Sequence, residues 1–489
     1  MLRRLLALAL CAALLPVHGQ GLPDLGDVSD ATLSEKQERT IGSRVMREIR
    51  VDPAFVEDPE IADYVKTLGN RLLSAADSPG RAIEFFVVRD DAVNAFALIG
   101  GHIGIHTGLF LLTENESELA GVVGHEIAHI LQRHQSRLYQ SQGRYQLASL
   151  AALALALLAS RGSSSQSGQV TEAALVSASA IAIQGQLDYT REHEREADRV
   201  GITILERAGY DPRGMVSFFE RMQRANRLSE FKGAPSYLRT HPLTIERISD
   251  MQNRAERMSV RLVPDSFEYR LARAKVRAES GQVAETVAWF RNRLADKTVL
   301  RPREDSYVLA LALIRARDFP AAEKELSLLR SGTQPHPAFE QAWARLLTER
   351  GLNAEAVAAY RVAIKAFPTH RGLAYGLADL LIQSGDPKAA IALLEERVRA
   401  TPEDARLHEL TAKAFAASGR PLSQHRAQAE AYYRRGNLAA AVAQLEIASK
   451  SKPVAGADFY ELSSAEARLR ELRNQLEIER EAEKALKIS

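Results

Sequence analysis

Cysteine is nearly missing from this chain: of 489 residues only Cys11 is one. Charge of one sign is missing too, since 64 basic residues face 62 acidic ones for a net charge of +2. A balanced surface makes no electrostatic case for nucleic acid, so that partner is set aside. Long apolar runs are also scarce. The run from Leu5 to Leu15 ends at Pro16 and is too short to span a bilayer. Behind the basic Met1-Leu2-Arg3-Arg4 and ahead of Val17-His18-Gly19, it predicts a cleavable secretory signal over residues 1–19. Cys11 lies within it, and Leu10 before it does not suit a lipoprotein site. The mature chain therefore holds no cysteine, and disulfide support is excluded. Stability must come from packed cores and from any metal, and a bacterial periplasm fits best. The length suggests two or three domains.

What is present centres on Gly124-His125-Glu126-Ile127-Ala128-His129. A helix repeats every 3.6 residues, so His125 and His129 stand one turn apart and can aim ring nitrogens at one tetrahedral metal. Glu126 lies about 100° around the helix, where it reaches a water on the metal rather than the metal itself. That arrangement predicts a zinc site with its own general base, Glu126, suited to peptide hydrolysis. Thr113 and Glu116 have capping-box spacing, and Ala120, Val123, Ile127 and Ile130 form an apolar stripe for the core. A surface helix that happens to carry His-Glu-His is the bland alternative.

Ahead of this helix, Ser34–Arg50 and Glu57–Ala75 read as amphipathic helices, followed by short β-rich runs at Ile83–Val88, Val93–Ile99 and Gly101–His106. His102 and His106 share a strand face, and an ordinary strand surface suits them better than a metal role. The stretch with Asn94, Ala95, Phe96 and Gly101 predicts an edge strand that pairs with an extended substrate peptide by its backbone. After the helix, Leu147–Ala159 and Ala173–Ile183 flank a Gly/Ser-rich segment and suggest a helical hairpin over 147–187. It is read as core, as a lid, or as a surface for peripheral membrane contact.

Arg191 to Asp198 is free of helix breakers, and Glu194 and Asp198 are one turn apart. If Glu194 binds zinc, Asp198 can accept a hydrogen bond from a liganding imidazole. A solvated charged face is the alternative for such a run taken alone. His125-Glu126-x-x-His129 with Glu194-x-x-x-Asp198, together with Asn94-Ala95-Phe96-Ala97 and Arg239-Thr240-His241-Pro242, resembles the gluzincin metallopeptidases that include the CAAX prenyl endopeptidases and heat-shock membrane peptidases. Unlike those, this chain has no spanning helix, and it is similar to periplasmic members with a tetratricopeptide tail. The resemblance implies His125, His129 and Glu194 as ligands of one Zn2+ and Glu126 as base. It also implies unfolded or misassembled outer-membrane proteins as partners, with the β-barrel assembly machinery as a further contact through the repeats.

Beyond Pro264 the pattern turns to helices punctuated by glycine. Gly351, Ala356, Tyr360 and Pro368 recur 34 residues later as Gly385, Ala390, Leu394 and Pro402, and Gly436, Ala441, Leu445 and Pro453 follow after one and a half further periods. That is the tetratricopeptide period, and its stacked helix pairs present a face for clients or partners. Ser463 and Glu466 have capping-box spacing, and Leu469, Leu472 and Leu476 predict a helix that caps the solenoid.

The whole is thus expected to be α+β but mostly α. A zincin-like metalloprotease domain with a small sheet spans 20–262, a tetratricopeptide solenoid 263–455 and a capping helix 456–489. The expected activity is that of a zinc metalloendopeptidase degrading misfolded outer-membrane proteins. The alternative is a repeat chaperone with seldom-used proteolysis. Pro242 restricts His241 to an extended backbone, and Arg247 follows on a helix. His241 is expected to latch the metal's fourth position or to stabilise the oxyanion, with a merely structural histidine in a Pro-bounded turn as the bland alternative. The latch is preferred, because an exported protease reading only backbone would threaten its own clients.

Overall fold

The computed structural model describes residues 33–78, 80–142, 191–228, 236–259, 261–296, 302–332, 334–451 and 456–488. The expected signal segment and the hairpin over 147–187 lie outside them. Helices α1 (Glu35–Val51) and α2 (Pro59–Ala75) open the fold, started by Ser34 in a capping box and by Asp58 accepting from two backbone amides. Three short strands follow, β1 (Glu84–Val88), β2 (Ala95–Leu98) and β3 (His102–His106), in the order β1-β3-β2. β3 is parallel to β1 and antiparallel to β2. Gly100 and Gly101 both have φ of 89° and make the tight β2–β3 turn. Gly101 therefore sits in a turn and not on the expected substrate strand.

Then come α3 (Thr107–Leu112), the metal-motif helix α4 (Glu116–Leu131), α5 (His134–Gln142), α6 (Arg191–Arg207), α7 (Arg213–Leu228), α8 (Ser236–Thr240) and α9 (Ile245–Arg257). The cap of α4 differs from expectation: Asn115 accepts from the Glu118 amide, while Thr113 ends α3 and bonds Tyr269. Residues 116–130 of α4 are buried on every side. A helix buried on every side sits at the centre of a core, and beyond the polar first turn Glu116-Ser117-Glu118 its polar residues are those of the motif. His106 is buried as well, edge-on to the Phe96 ring at 5.6 Å, and not on a strand surface.

The solenoid runs through α10 (Phe267–Glu279), α11 (Val283–Ala295), α12 (Arg303–Arg315), α13 (Phe319–Arg330), α14 (Pro337–Glu349), α15 (Asn353–Ala366), α16 (Arg371–Gln383), α17 (Pro387–Ala400), α18 (Ala405–Ala417), α19 (Pro421–Arg434) and α20 (Leu438–Ser449). Helix α21 (Gly456–Ile488) starts before Ser463, so that residue caps nothing; Leu469 and Leu472 bury against Leu422, Val442 and Leu445, with Leu476 partly covered. The first solenoid helix shares the peptidase core through Tyr269, Ala272 and Val276. Farther along, the solenoid meets α1 and α2 again. Lys275 pairs with Asp58 and Glu60, Tyr307 with Glu60, Arg371 with Asp63, Arg435 with Glu57, and Arg47 with Glu479 and Glu483. Part of the repeat surface is thus taken up by the peptidase domain rather than left for partners. No helix among the described residues is long and apolar enough to cross a membrane.

Candidate metal centre

Helices α4 and α6 touch backbone to backbone at one point. A Cβ on Gly201 would meet the N and Cα of His125 at 3.0 Å, and one on Gly124 would meet the Gly201 carbonyl at 3.3 Å. Only glycine permits that approach, and it sets His125 and His129 opposite Glu194 and Asp198.

The facing atoms converge. His129 Nε2 lies 3.0 Å from His125 Nε2, and these nitrogens lie 3.5 Å from Glu194 Oε1 and Oε2 respectively. His241 Nδ1 is 3.4 Å from His125 Nε2 and 3.1 Å from Glu194 Oε1. All four ligand atoms fall within 4.8 Å of one another and all four residues are buried. A tetrahedral zinc with bonds of about 2.05 Å has ligand–ligand edges of roughly 3.3 Å, so these residues could hold such an ion. A second observation points the same way. Both oxygens of Glu126 are buried and make no hydrogen bond of full geometry to another side chain; His241 Nε2 stands 3.4 Å from Oε1 and the Ala97 amide faces the carboxylate, an arrangement that fits a base with room for a water. Burial raises the Glu126 pKa, against the pull of His241, His125 and the Ala97 amide.

Around this cluster lies a layer of charge. Arg247 grips Asp198 through Nε at 2.7 Å and a terminal nitrogen at 2.8 Å, reaches Glu194 Oε2 at 2.8 Å, and bonds the Pro242 carbonyl at 2.6 Å. Its guanidinium is therefore committed to fixing carboxylates, and it stands beside the site rather than next to a reacting carbonyl. Burial would raise the Glu194 pKa, but His241 and Arg247 outweigh it and hold the carboxyl well below its ordinary range. His125 Nδ1 stands 3.1 Å from Asp198 Oδ1 in a short electrostatic contact. Burial pushes His125 down, yet Asp198 and Glu194 lift it to about 9; His129 is pushed well down by burial and by His125.

Several participants were not anticipated. His134 Nδ1 meets His129 Nδ1 at 2.8 Å, stacks on His193 at 4.5 Å, and meets Glu196 through Nε2 at 3.2 Å. It gets there because Arg133 adopts φ of 51°, ending α4 in a sharp reversal, while its side chain anchors on Glu38 and the Leu33 carbonyl. Tyr237 stacks on His241 at 4.7 Å and its hydroxyl is buried without a partner. Of the expected substrate strand, Ala95 and Phe96 lie on β2, and Asn94 is buried just before it.

Two histidines on α4 and a glutamate on α6, converging beside the buried Glu126 of α4, define a metallopeptidase site of the zincin type. Residues 59–255 match the profile of peptidase family M48, and 307–371 and 347–414 match tetratricopeptide repeat profiles. The chain is 33% identical to the beta-barrel assembly-enhancing protease of Yersinia pestis over 88% of this chain and 87% of that one. It is 34% identical to the protein of that name from Escherichia coli, again over 88% and 87%. A more distant relative is the mitochondrial metalloendopeptidase OMA1 of Schizosaccharomyces pombe, 27% identical over 39% of this chain and 51% of that one. The chain belongs to peptidase family M48, in the branch that carries tetratricopeptide repeats, and it is a metalloendopeptidase.

Proposed function

We propose that this protein is a periplasmic zinc endopeptidase that degrades misfolded or stalled outer-membrane β-barrel proteins, with its solenoid bringing such clients to the site. The observation that carries the chemistry is the buried Glu126 carboxylate, free of any strong side-chain hydrogen bond, beside four converging ligand atoms. The client class rests on the names of the relatives and on the repeats.

In this reading His125, His129 and Glu194 hold the ion, which when bound polarises the scissile carbonyl and makes a water acidic enough to attack at neutral pH. Glu126 takes the proton from the attacking water and returns it to the departing amine. Its burial favours the neutral form, against the pull of His241 and His125. Asp198 orients His125, His134 orients His129, and Arg247 keeps Glu194 and Asp198 ionised in a buried place. The β2 edge receives the substrate as an added strand, which leaves sequence preference loose. His241 occupies the fourth corner and keeps the enzyme latent until a client draws it away.

Metal analysis paired with casein hydrolysis tests the core of this. Wild type should carry one zinc per chain and cleave, and Glu126→Gln should keep the metal and client binding while losing hydrolysis. A Glu126→Gln variant that still cleaves at the wild-type rate would overturn the assignment. Undiminished assembly of outer-membrane proteins by that inactive variant would favour a chaperone over a protease.

A further inference from the structure

The outward edge of β2 is already occupied by the chain itself. The Asn94 carbonyl accepts from the His106 amide at 3.0 Å, so residues 94, 96 and 98 direct their backbone groups to β3. By strand alternation, Val93, Ala95 and Ala97 direct theirs away from it. At one end of that edge the Val93 carbonyl accepts from the Tyr237 amide at 3.1 Å and from the Ser236 hydroxyl at 2.9 Å. At the other end the Ala97 carbonyl accepts from the side-chain amide of Gln135, while the Ala97 amide faces Glu126. Ala95 lies between them.

A carboxamide presents the same donor as a peptide bond. We infer that Gln135 stands in for a substrate backbone amide at the Ala97 carbonyl and thereby gates the β2 edge. Gln135 is delivered there by the left-handed turn at Arg133, two residues after α4 and on the far side of the edge from α8. A peptide adding to β2 beside Glu126 needs the Ala97 carbonyl as acceptor, so it must first displace this side chain. The gate is separate from His241, which lies against the metal ligands and Glu126. Releasing His241 alone leaves the Ala97 end of the edge closed. The inference rests on the reading of β2 as the substrate strand.

The test uses the full chain with zinc and an unstructured, internally quenched peptide, together with versions of it N-methylated at one residue at a time. In wild type, one methylation should raise KM by about 10-fold or more, because it deletes the pairing donor and adds a clash. Insensitivity at every position would remove the strand reading and the gate with it. If that sensitivity is present, Gln135→Ala should lower KM for the unmethylated peptide by about 2- to 10-fold, the value of one hydrogen bond no longer competed for, with the gain confined to KM. Gln135→Glu keeps the shape but opposes an acceptor to the carbonyl and should act in the same direction; it also carries the test if the alanine variant does not fold. An unchanged or higher KM in the folded variants, with methylation sensitivity intact, refutes the gate and leaves the strand reading standing.

Discussion

Gly201→Ala isolates what the crossing of α4 and α6 does. The new methyl would stand 3.0 Å from the His125 N and Cα, where carbon–carbon contact prefers about 3.5–4.0 Å. Both neighbours are backbone of a fully buried helix, so no side chain can swing aside. The helices must part by about half an ångström or more. In stability the effect is modest, because helix propensity favours alanine over glycine by about 1 kcal/mol while overpacking costs about 1–3 kcal/mol. Net destabilisation should be roughly 0–2 kcal/mol. Function should suffer far more, since Glu194 and Asp198 ride on α6 and a shift of about 0.5 Å already exceeds what a preorganised site tolerates. We expect turnover of an unstructured peptide to fall by about 10²-fold and zinc to be lost to a competing chelator at lower chelator concentration, with the far-ultraviolet spectrum unchanged. Thermal unfolding, chelator titration and peptide kinetics on the same preparation check this. Wild-type zinc retention and turnover in a folded Gly201→Ala protein would refute the close-approach argument.

Other perturbations follow from the same geometry. Arg247→Ala strands two buried carboxylates and should cost about 3–5 kcal/mol of stability by denaturant titration in chelator, partly recovered when zinc is added; a loss under 1 kcal/mol would contradict it. His241→Ala should raise basal hydrolysis of a small peptide, whereas a fall of about 10²-fold would instead mark His241 as an oxyanion donor. Glu84 is held at about 2: burial pushes it up, but His102 and Arg50 outweigh that. Its contribution to stability is therefore complete above its unfolded pKa near 4.5 and disappears as pH falls through about 2. The stability gap between wild type and Glu84→Gln should narrow across that window, and a gap independent of pH would exclude the mechanism. A truncation that removes the solenoid but retains α10 should keep peptide hydrolysis and lose client turnover, while cutting before α10 should also expose the core at Tyr269, Ala272 and Val276 and yield insoluble protein.

The fold class was legible because its signals are periodic: the histidine spacing fixes a helix face, and the 34-residue recurrence fixes a solenoid. Glu194 and Asp198 were legible only through their spacing in combination with the histidines. His134 and Gln135 were not. Helical register carries them away from His129, and what returns them is a positive φ at Arg133, a residue type that gives no local warning of a left-handed turn. The burial of His106 was hidden as well, because a strand pattern tells which residues share a face but not what covers that face. Contacts such as Arg435 with Glu57 join residues too distant in sequence, and too ordinary in kind, for any pattern to announce them.

The ion pairs between the two halves differ in depth, and depth decides how each responds to dissolved salt. Lys275, its side chain 5% exposed, sits between Asp58 at 2.8 Å and Glu60 at 3.1 Å, where screening ions cannot enter. Arg371 and Asp63, 35% and 51% exposed, meet at 2.7 Å in the open. Raising ionic strength from about 0.15 M to 1 M shortens the Debye length from roughly 8 Å to 3 Å and weakens the outer pair far more than the inner one. The joint is thus graded: brine loosens its exposed rim, while Lys275 between its two carboxylates and the apolar contacts of Tyr269, Ala272 and Val276 keep the first solenoid helix seated on the peptidase domain.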